Sequence, residues 1–383
     1  MSSDPKSIEL SVVIPCLNEE KTLPIVIEKA LGSFERLKIN GEVVVSDNGS
    51  TDNSVAIAEK MGARVVRCPE KGYGNALKCG FREAYGRYLL HGDADDSYDF
   101  SDIKGFVHYL RKGYDMVIGT RIKGRIEKGA MPFLHRYLGT PVLTFILNLF
   151  FGTRISDCNC GMRGLTKKAF EKMALTSGGM EFASEMVIKA GILKLKIKEI
   201  PITLYPDKRD RPPHLNTWRD GWRHLRFMLL YAPNSVFIWP GTLLFLLGTV
   251  LMLLQINGPF RWNWIYMDIH FMILGLTLGV LGVTVLQMGL IIKLFSHLHN
   301  YYSQDKTIAW LNKFSLEKGL VAGSIVLVLG LAVDAAIVVQ WVRDGFHGTL
   351  MPRAAIFGLY LMFLGVSFLF FSFLRAVMGK QEQ

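Results

Sequence analysis

Four long apolar runs in the last third of the chain limit what it can fold into more than any other feature. From Asn234 to Phe260 there is no Asp, Glu, Lys or Arg, and three comparable stretches follow: Ile269 to Ile292, Gly319 to Val342 with Asp334 inside it, and Ala354 to Leu374. A helix crosses a hydrocarbon core of roughly 30 Å with about 20 residues, and no other open structure satisfies its backbone there. The runs therefore predict four transmembrane helices, at about 234–256, 269–294, 319–342 and 354–376. The opening MSSDPKSIEL has no long apolar run and predicts no signal peptide. The preceding part of the chain is thus expected in the cytosol, with four crossings returning the C-terminus to the same side. The loop from Ser296 to Lys318 carries Lys306, Lys313 and Lys318 against Arg261, Arg343 and Arg353 in the two outer loops, a small contrast of the expected sign.

The formal net charge is +11, and residues 234–383 hold nine Lys and Arg against six Asp and Glu, so most of the positive surplus precedes the membrane part. Such a surplus faces anionic headgroups and phosphorylated substrates, and no nucleic-acid partner is expected. Five cysteines, Cys16, Cys68, Cys79, Cys158 and Cys160, all lie before the membrane part. In a reducing compartment they are expected as buried or incidental thiols, and Cys158 and Cys160 lack zinc spacing.

Residues 1–233 alternate strand and helix patterns. The β-branched run from Glu9 to Pro15 precedes a helical pattern from Glu20 to about Leu37; Glu42 to Asp47, Arg64 to Arg67 and Tyr88 to His91 read as further strands, with helices over Ser54 to Met61 and Asn75 to Tyr85. This alternation predicts a parallel sheet whose ligands gather at the carboxyl ends of the strands. The polar signatures PCLNE, DNGSTD and DAD follow the first, second and fourth strands, which suggests one site built from several loops. The loop Lys71 to Ala76, KGYGNA, places glycines including Gly74 ahead of a helix N-terminus, where amides favour anions. Neither the dinucleotide nor the P-loop signature is present.

The stretch HGDADDSYDF crowds Asp93, Asp95, Asp96 and Asp99 into seven positions of a basic chain. Two aspartates one residue apart at a strand end can direct oxygens at one hard cation, Mg²⁺ or Mn²⁺, which completes its shell with substrate phosphate and water. A solvated acidic turn is the competing reading.

VVIPCLNEE, the Asp47 loop, KGYGNA and the DAD triplet together resemble the family 2 glycosyltransferases of the GT-A fold. Later segments narrow the resemblance to polyprenyl-phosphate glycosyltransferases similar to dolichyl-phosphate mannose synthase. The resemblance runs in order over about residues 8–232. It implies a GT-A domain over 1–217 with a membrane-surface helix near 135–151, an interfacial amphipathic helix over 218–233 and a four-helix membrane domain over 234–383. It further implies that Pro15, Asn18, Glu19 and Asp47 contact the nucleoside, with Lys71 and Gly74 beside them, and that Asp93 and Asp95 hold diphosphate and metal. Several relatives place a Gln two residues after the second Asp; here that residue is Ser97, so Ser97, Asp96 and water stand as alternatives for the third ligand.

For the acceptor, Arg121 followed by Arg136 and Thr140 matches the family's Arg and Arg-xxx-Ser/Thr pattern for gripping a lipid phosphate. A guanidinium binds phosphate oxygens in pairs and a hydroxyl adds a donor. Pro141 to Phe151 reads as a helix on the membrane surface, and Trp218 to Tyr231 as a second, with Trp218, Trp222, Leu225 and Leu229 on one stripe beside Arg219, Arg223 and Arg226. Between them, Tyr205 to Asn216 is expected as an acceptor loop in which Arg209 or Arg211 touches phosphate. Asp157 is read as a phosphate-side or sugar-side group or a structural turn, and Glu185 as a structural carboxylate or, as the resemblance implies, an acid near the sugar. A lipid monophosphate is already ionised, so the implied transfer of a hexose from UDP- or GDP-hexose needs no protein base and inverts the anomeric carbon. Two rivals are a processive polysaccharide synthase, whose Gln-x-x-Arg-Trp segment is absent, and a lipid transporter with a nucleotide-binding domain, which gives no reason for Arg121, Arg136 and Thr140. Gly275 and Gly279 leave homo-oligomer packing open.

Overall fold

A computed structural model of the chain describes residues 8–208, 217–298, 306–347 and 351–379. Its backbone divides into two compact units, Met1–Tyr231 and Ala232–Gln383.

The first unit is built on a seven-stranded sheet, with β1 Leu10–Cys16, β2 Gly41–Asp47, β3 Arg64–Arg67, β4 Tyr88–His91, β5 Met116–Ile126, β6 Arg163–Thr166 and β7 Ile197–Leu204 in the order β3-β2-β1-β4-β6-β5-β7. β1 pairs in parallel with β2 and β4, β2 with β3 and β5 with β7, whereas β6 runs antiparallel to both β4 and β5. Val12, Val13 and Ile14 are all 0% exposed. Successive strand residues point to opposite faces, so this run is apolar because helices cover both sides. Those helices begin with α1 Leu23–Leu37, α2 Ser54–Lys60, α3 Tyr73–Glu83 and α4 Lys104–Arg111. α1 starts later than its pattern predicts because the Glu19 carbonyl accepts from the amides of Thr22 and Leu23, closing a turn first.

Register levels the strand ends: Cys16 lies opposite Asp47, and Val13 opposite His91. The β5–β7 register shifts between Thr120 and Arg125, so Arg121 leaves the ladder at a bulge.

α5 Thr140–Phe151 follows a π-helical turn over His135–Gly139. Thr140, Thr144, Leu147 and Phe151 are buried, while Val142, Phe145 and Leu149 are exposed at 45%, 65% and 65%. Both stripes of this helix are largely apolar, but only one is buried among the described residues. After α6 Lys167–Met173 and α7 Phe182–Ile192 comes α8 Thr217–Leu230, which packs against α5 and α7. Ser184 Oγ lies 2.7 Å from His224 Nδ1 across the α7–α8 contact. Trp222 and Leu230 are exposed on α8.

One expectation fails here. Cys68 and Cys79 form a disulfide, with Cα atoms 6.1 Å apart. Packing of α3 against the sheet carries Cys79 to Cys68, the residue that follows β3, a juxtaposition that compartment arguments overlook. Cys16, Cys158 and Cys160 are buried free thiols as expected, with burial raising the pKa of Cys16 and Cys158 to about 11 and of Cys160 to about 12.

The second unit holds α9 Trp239–Gln255, entered through a π turn at Asn234–Ile238, then α10 Ile269–Leu298, α11 Lys306–Lys313, α12 Leu316–Arg343 and α13 Pro352–Gly379. Four of its helices are long and apolar enough to cross a membrane, at Asn234–Gln255, Ile269–Leu298, Leu316–Arg343 and Pro352–Met378. The short α11 and the hairpin of β8 Phe260–Trp262 and β9 Ile265–Met267 are additions that apolar runs do not signal. A Cβ placed on Gly248 would lie 2.2 Å from the Gly279 amide nitrogen, and one on Gly282 would lie 2.2 Å from that of Phe245, so α9 and α10 touch backbone to backbone. Polar side chains pair between helices: Thr249 with the Tyr360 hydroxyl at 2.6 Å and Ser367 with Gln287 at 2.7 Å. Asp334 faces α13, where a Cβ on Gly358 would come within 2.4 Å of its Oδ1.

Candidate active site

The loops after β1, β2, β3 and β4 are tied into one surface. Asn18, at φ 57°, accepts from the Thr51 amide at 2.7 Å and its own amide donates to Ser50 Oγ at 3.0 Å. The Glu19 amide donates to Ser54 Oγ at 2.9 Å. Asp47, 6% exposed, accepts from the amides of Gly49 at 3.2 Å and Ser50 at 3.0 Å. Asn48 reaches across to donate to the Glu70 carbonyl and accept from the Gly72 amide at 2.7 Å. Pro15, Asn18, Glu19 and Asp47 are thereby brought together, and Asn18 braces the loop as well as lining it.

The glycine loop departs from its expected form. The N–H groups of Gly72, Asn75 and Ala76 donate within the protein, to Asn48, the Gly178 carbonyl and the Gly72 carbonyl. A Cβ on Gly74 would lie 2.7 Å from the Ser177 carbonyl and 2.9 Å from that of Gly179. The glycines admit the chain at 177–179 rather than leaving an open anion cradle, and Lys71 is exposed beside them. Glu185, 0% exposed, holds that chain by accepting from the amides of Thr176 and Ser177 and from the Thr176 hydroxyl. Its structural role is as the sequence predicts.

At the end of β4, the Tyr73 hydroxyl donates to Asp93 Oδ1 at 2.9 Å. Burial and then the Asp93 charge push the Tyr73 pKa well up, so it remains a donor. Asp95 is 5% exposed and its Oδ1 accepts from the Ser97 amide at 3.0 Å and hydroxyl at 2.6 Å. Asp96 turns away, at φ 59°, with one lysine on each carboxylate oxygen: Lys29 and Lys208, both at 2.7 Å. Among the described residues no three His, Cys, Asp or Glu side chains form a group that could hold a metal. Two adjacent carboxylates fit Mg²⁺ or Mn²⁺ only as ions that share substrate phosphates.

Arg121 is 11% exposed in its side chain and bonded in bidentate fashion to Asp157, which is fully buried: Nε to Oδ2 and Nη2 to Oδ1, each at 2.7 Å. Its backbone amide, released from the ladder by the bulge, also donates to Asp157 at 3.1 Å. Glu199 on β7 accepts from the Ser156 amide at 2.6 Å and so seats the Asp157 turn. Burial works against the Arg121 charge, but Tyr98 and the Asp157 carboxylate outweigh it and hold its pKa well above the ordinary guanidinium value. Tyr98 links the two halves of the site. Its hydroxyl accepts from the Gly161 amide at 2.8 Å, and a Cβ on Gly161 would meet both Asp93 and Tyr98, at 2.9 Å each. Burial and then the Arg121 charge lower the pKa of His135, which precedes Arg136. Arg136 is exposed, its guanidinium 5.3 Å from the Tyr137 ring centroid, whereas Thr140 is 3% exposed. Arg209 and Arg211 lie outside the described residues.

Sequence reasoning missed Tyr73, Tyr98 and Glu199. An aromatic between two glycines at a helix start was the available signal for Tyr73; Tyr98 and Glu199 gave none.

Residues 11–174 match the model of glycosyl transferase family 2, and residues 290–379 match that of the glycosyltransferase family 2 C-terminal transmembrane region. Over 372 residues the chain is 38% identical to the low-salt glycan biosynthesis hexosyltransferase Agl6 of Haloferax volcanii, spanning 97% of this chain and 89% of that protein. The chain belongs to glycosyltransferase family 2. It is an integral membrane glycosyltransferase with a GT-A fold. The chain is also 30% identical over 196 residues to the dolichyl-phosphate hexose transferase of the same organism, covering 51% of this chain and 82% of that one. Among solved structures, the glycosyltransferase is similar to glucosyl-3-phosphoglycerate synthase of Mycobacterium tuberculosis in complex with Mn²⁺, UDP and glucosyl-3-phosphoglycerate. That similarity has a TM-score of 0.46 and 23% identity over 58% of this chain and 79% of that one.

Proposed function

We propose that this glycosyltransferase moves a hexose from UDP- or GDP-hexose to a polyprenyl or dolichyl phosphate at a cytoplasmic membrane face. The observation that carries the reading is the continuity from Asp93 through Tyr98 and Gly161 to Arg121 and Asp157, which joins an acid-lined strand end to a cation-bearing one. The hexosyl and dolichyl-phosphate activities named for its relatives support it.

In this reading the loops at Pro15, Asn18, Glu19 and Asp47 seat the nucleoside, and Lys71 stands exposed beside them. Asp93 and Asp95 would hold Mg²⁺ or Mn²⁺, an ion that supplies charge screening to a departing nucleoside diphosphate. Tyr73 and Ser97 fix the two carboxylates by donating to them, so their oxygens are oriented before substrate arrives. Ser97 therefore acts on Asp95, which leaves water as the better candidate for a further ligand. On the acceptor side, Arg121 is spent in part on Asp157; what it adds is a fixed positive edge, with the exposed Arg136 as the second cation. The acceptor phosphate is ionised at neutral pH and needs no general base, so alignment and screening of two anions are the protein's task. The exposed stripe of α5 with Trp222 and Leu230 of α8 suits contact with lipid.

The test is direct. Purified protein incubated with a polyprenyl phosphate, Mn²⁺ and a panel of nucleotide sugars should give one glycolipid by mass, and Asp95→Asn should reduce its formation at least 100-fold. Product from no donor, or unchanged turnover in the variant, would overturn the reading.

A further inference from the structure

Asp96 directly follows Asp95, yet it is 1% exposed and its carboxylate is committed elsewhere. Oδ1 accepts from Lys29 Nζ of α1 and Oδ2 from Lys208 Nζ of the segment that leaves β7, both at 2.7 Å. Lys29 also lies 3.4 Å from Asp99. Beside this double ion pair the backbone of the same segment is laced to the loop. The Tyr205 amide donates to the Ser97 carbonyl at 3.0 Å and the Lys208 amide to the Asp95 carbonyl at 3.3 Å, while Tyr98 and Leu204 form a bridge. The left-handed φ of 59° at Asp96 is what lets one four-residue turn present Asp95 to one side and Asp96 to the other.

We propose that Asp96 is a positioning residue which, through Lys208, fastens the segment after β7 to the Asp95 turn, so that the orientation of the Asp95 carboxylate and the anchorage of that segment depend on each other. This rests on the donor-site reading given above. Ser97 holds the Asp95 carboxylate from within the turn. With Asp96 neutralised by two lysines from opposite sides, the turn is pinned to α1 and to the chain beyond β7 at once, and a hard cation would meet a carboxylate that cannot swing. With Asp99 beside Lys29, two lysines meet two acids, and the cluster is balanced in charge.

The tie is read by hydrogen exchange and by nucleotide binding on the full-length protein in nanodiscs. Asp96→Asn keeps volume and tolerance of the left-handed turn while removing the charge; Lys208→Met removes one partner from a side chain that is 55% exposed and serves if the first variant does not fold. Both should speed amide exchange in the peptide containing Tyr205 and Lys208 at least tenfold. Both should also cut the gain in UDP or GDP affinity that Mn²⁺ brings over EDTA by about tenfold, with affinity in EDTA changed less than threefold. Lys208→Arg should restore most of each effect. Unchanged exchange overturns the proposal, and so does an equal loss of binding with and without Mn²⁺, which is the signature of a general packing role. If the unmodified protein binds UDP and GDP equally in Mn²⁺ and EDTA, the metal part of the donor-site reading fails, and the exchange arm alone decides whether Asp96 anchors the segment.

Discussion

Asp157 shows how far one side chain can change the meaning of another. Arg121 by itself reads as a phosphate-binding cation, but with three of its N–H groups on Asp157, counting the backbone amide, its first task is to be held still. Replacing Asp157 with Asn leaves a buried guanidinium without its counter-charge, which costs about 3–5 kcal/mol. Denaturant unfolding of the variant should show a loss of that size together with lost transfer, whereas a residue serving only substrate would leave stability unchanged. His91 supplies a pH signal. It is 1% exposed with neither ring nitrogen hydrogen-bonded among the described residues, and burial followed by the Arg163 charge lowers its pKa to about 3. The unfolded chain binds that proton from about pH 6.5 downward and the folded one does not. Stability should therefore be full above pH 6.5 and fall by up to about 1.4 kcal/mol per pH unit as pH drops toward 3. His91→Leu should flatten the slope of unfolding free energy against pH in that window; an unchanged slope would remove His91 as its source.

The elements divide by how local their causes are. The first four strands and their loops are legible because each carries its own signal: a β-branched run, then turn residues such as Asn18 or Gly49. β5, β6 and β7 escape the same reading, since β6 is four residues long and earns its place only by pairing between β4 and β5. The loops after β1 and β2 are legible as one surface, whereas the packing of the glycine loop is not, for a physical reason. A sequence announces that Gly72 and Gly74 permit close approach, but not what approaches; the answer, the chain at 177–179, lies about 100 residues away. At φ 131°, and with a Cβ that would sit 2.3 Å from the Gly178 carbonyl oxygen, Gly72→Ala should cost at least about 2 kcal/mol. Thermal unfolding measures this, and a near-neutral result would mean that the 177–179 chain yields easily. The Cys68–Cys79 disulfide belongs to the same class of hidden features, since residues 11 apart in sequence meet only after α3 docks.

For the whole molecule, composition was the better guide. The apolar runs located all four long helices, and the structure lengthens the last three, as in Leu316–Arg343. We propose that all four long helices cross. Reporter fusions after His347 and after Gln383 should then show opposite sidedness, the latter matching the N-terminal region, and equal sidedness would mean that Pro352–Met378 does not cross. The seam between α9 and α10 carries a further consequence. Where Gly241, Gly248, Gly275, Gly279 and Gly282 bring main chain against main chain, no rotamer can absorb a shift of one helix along the other. That pair must tilt as a single strut, so any flexing within the membrane unit has to be taken up by the remaining spans.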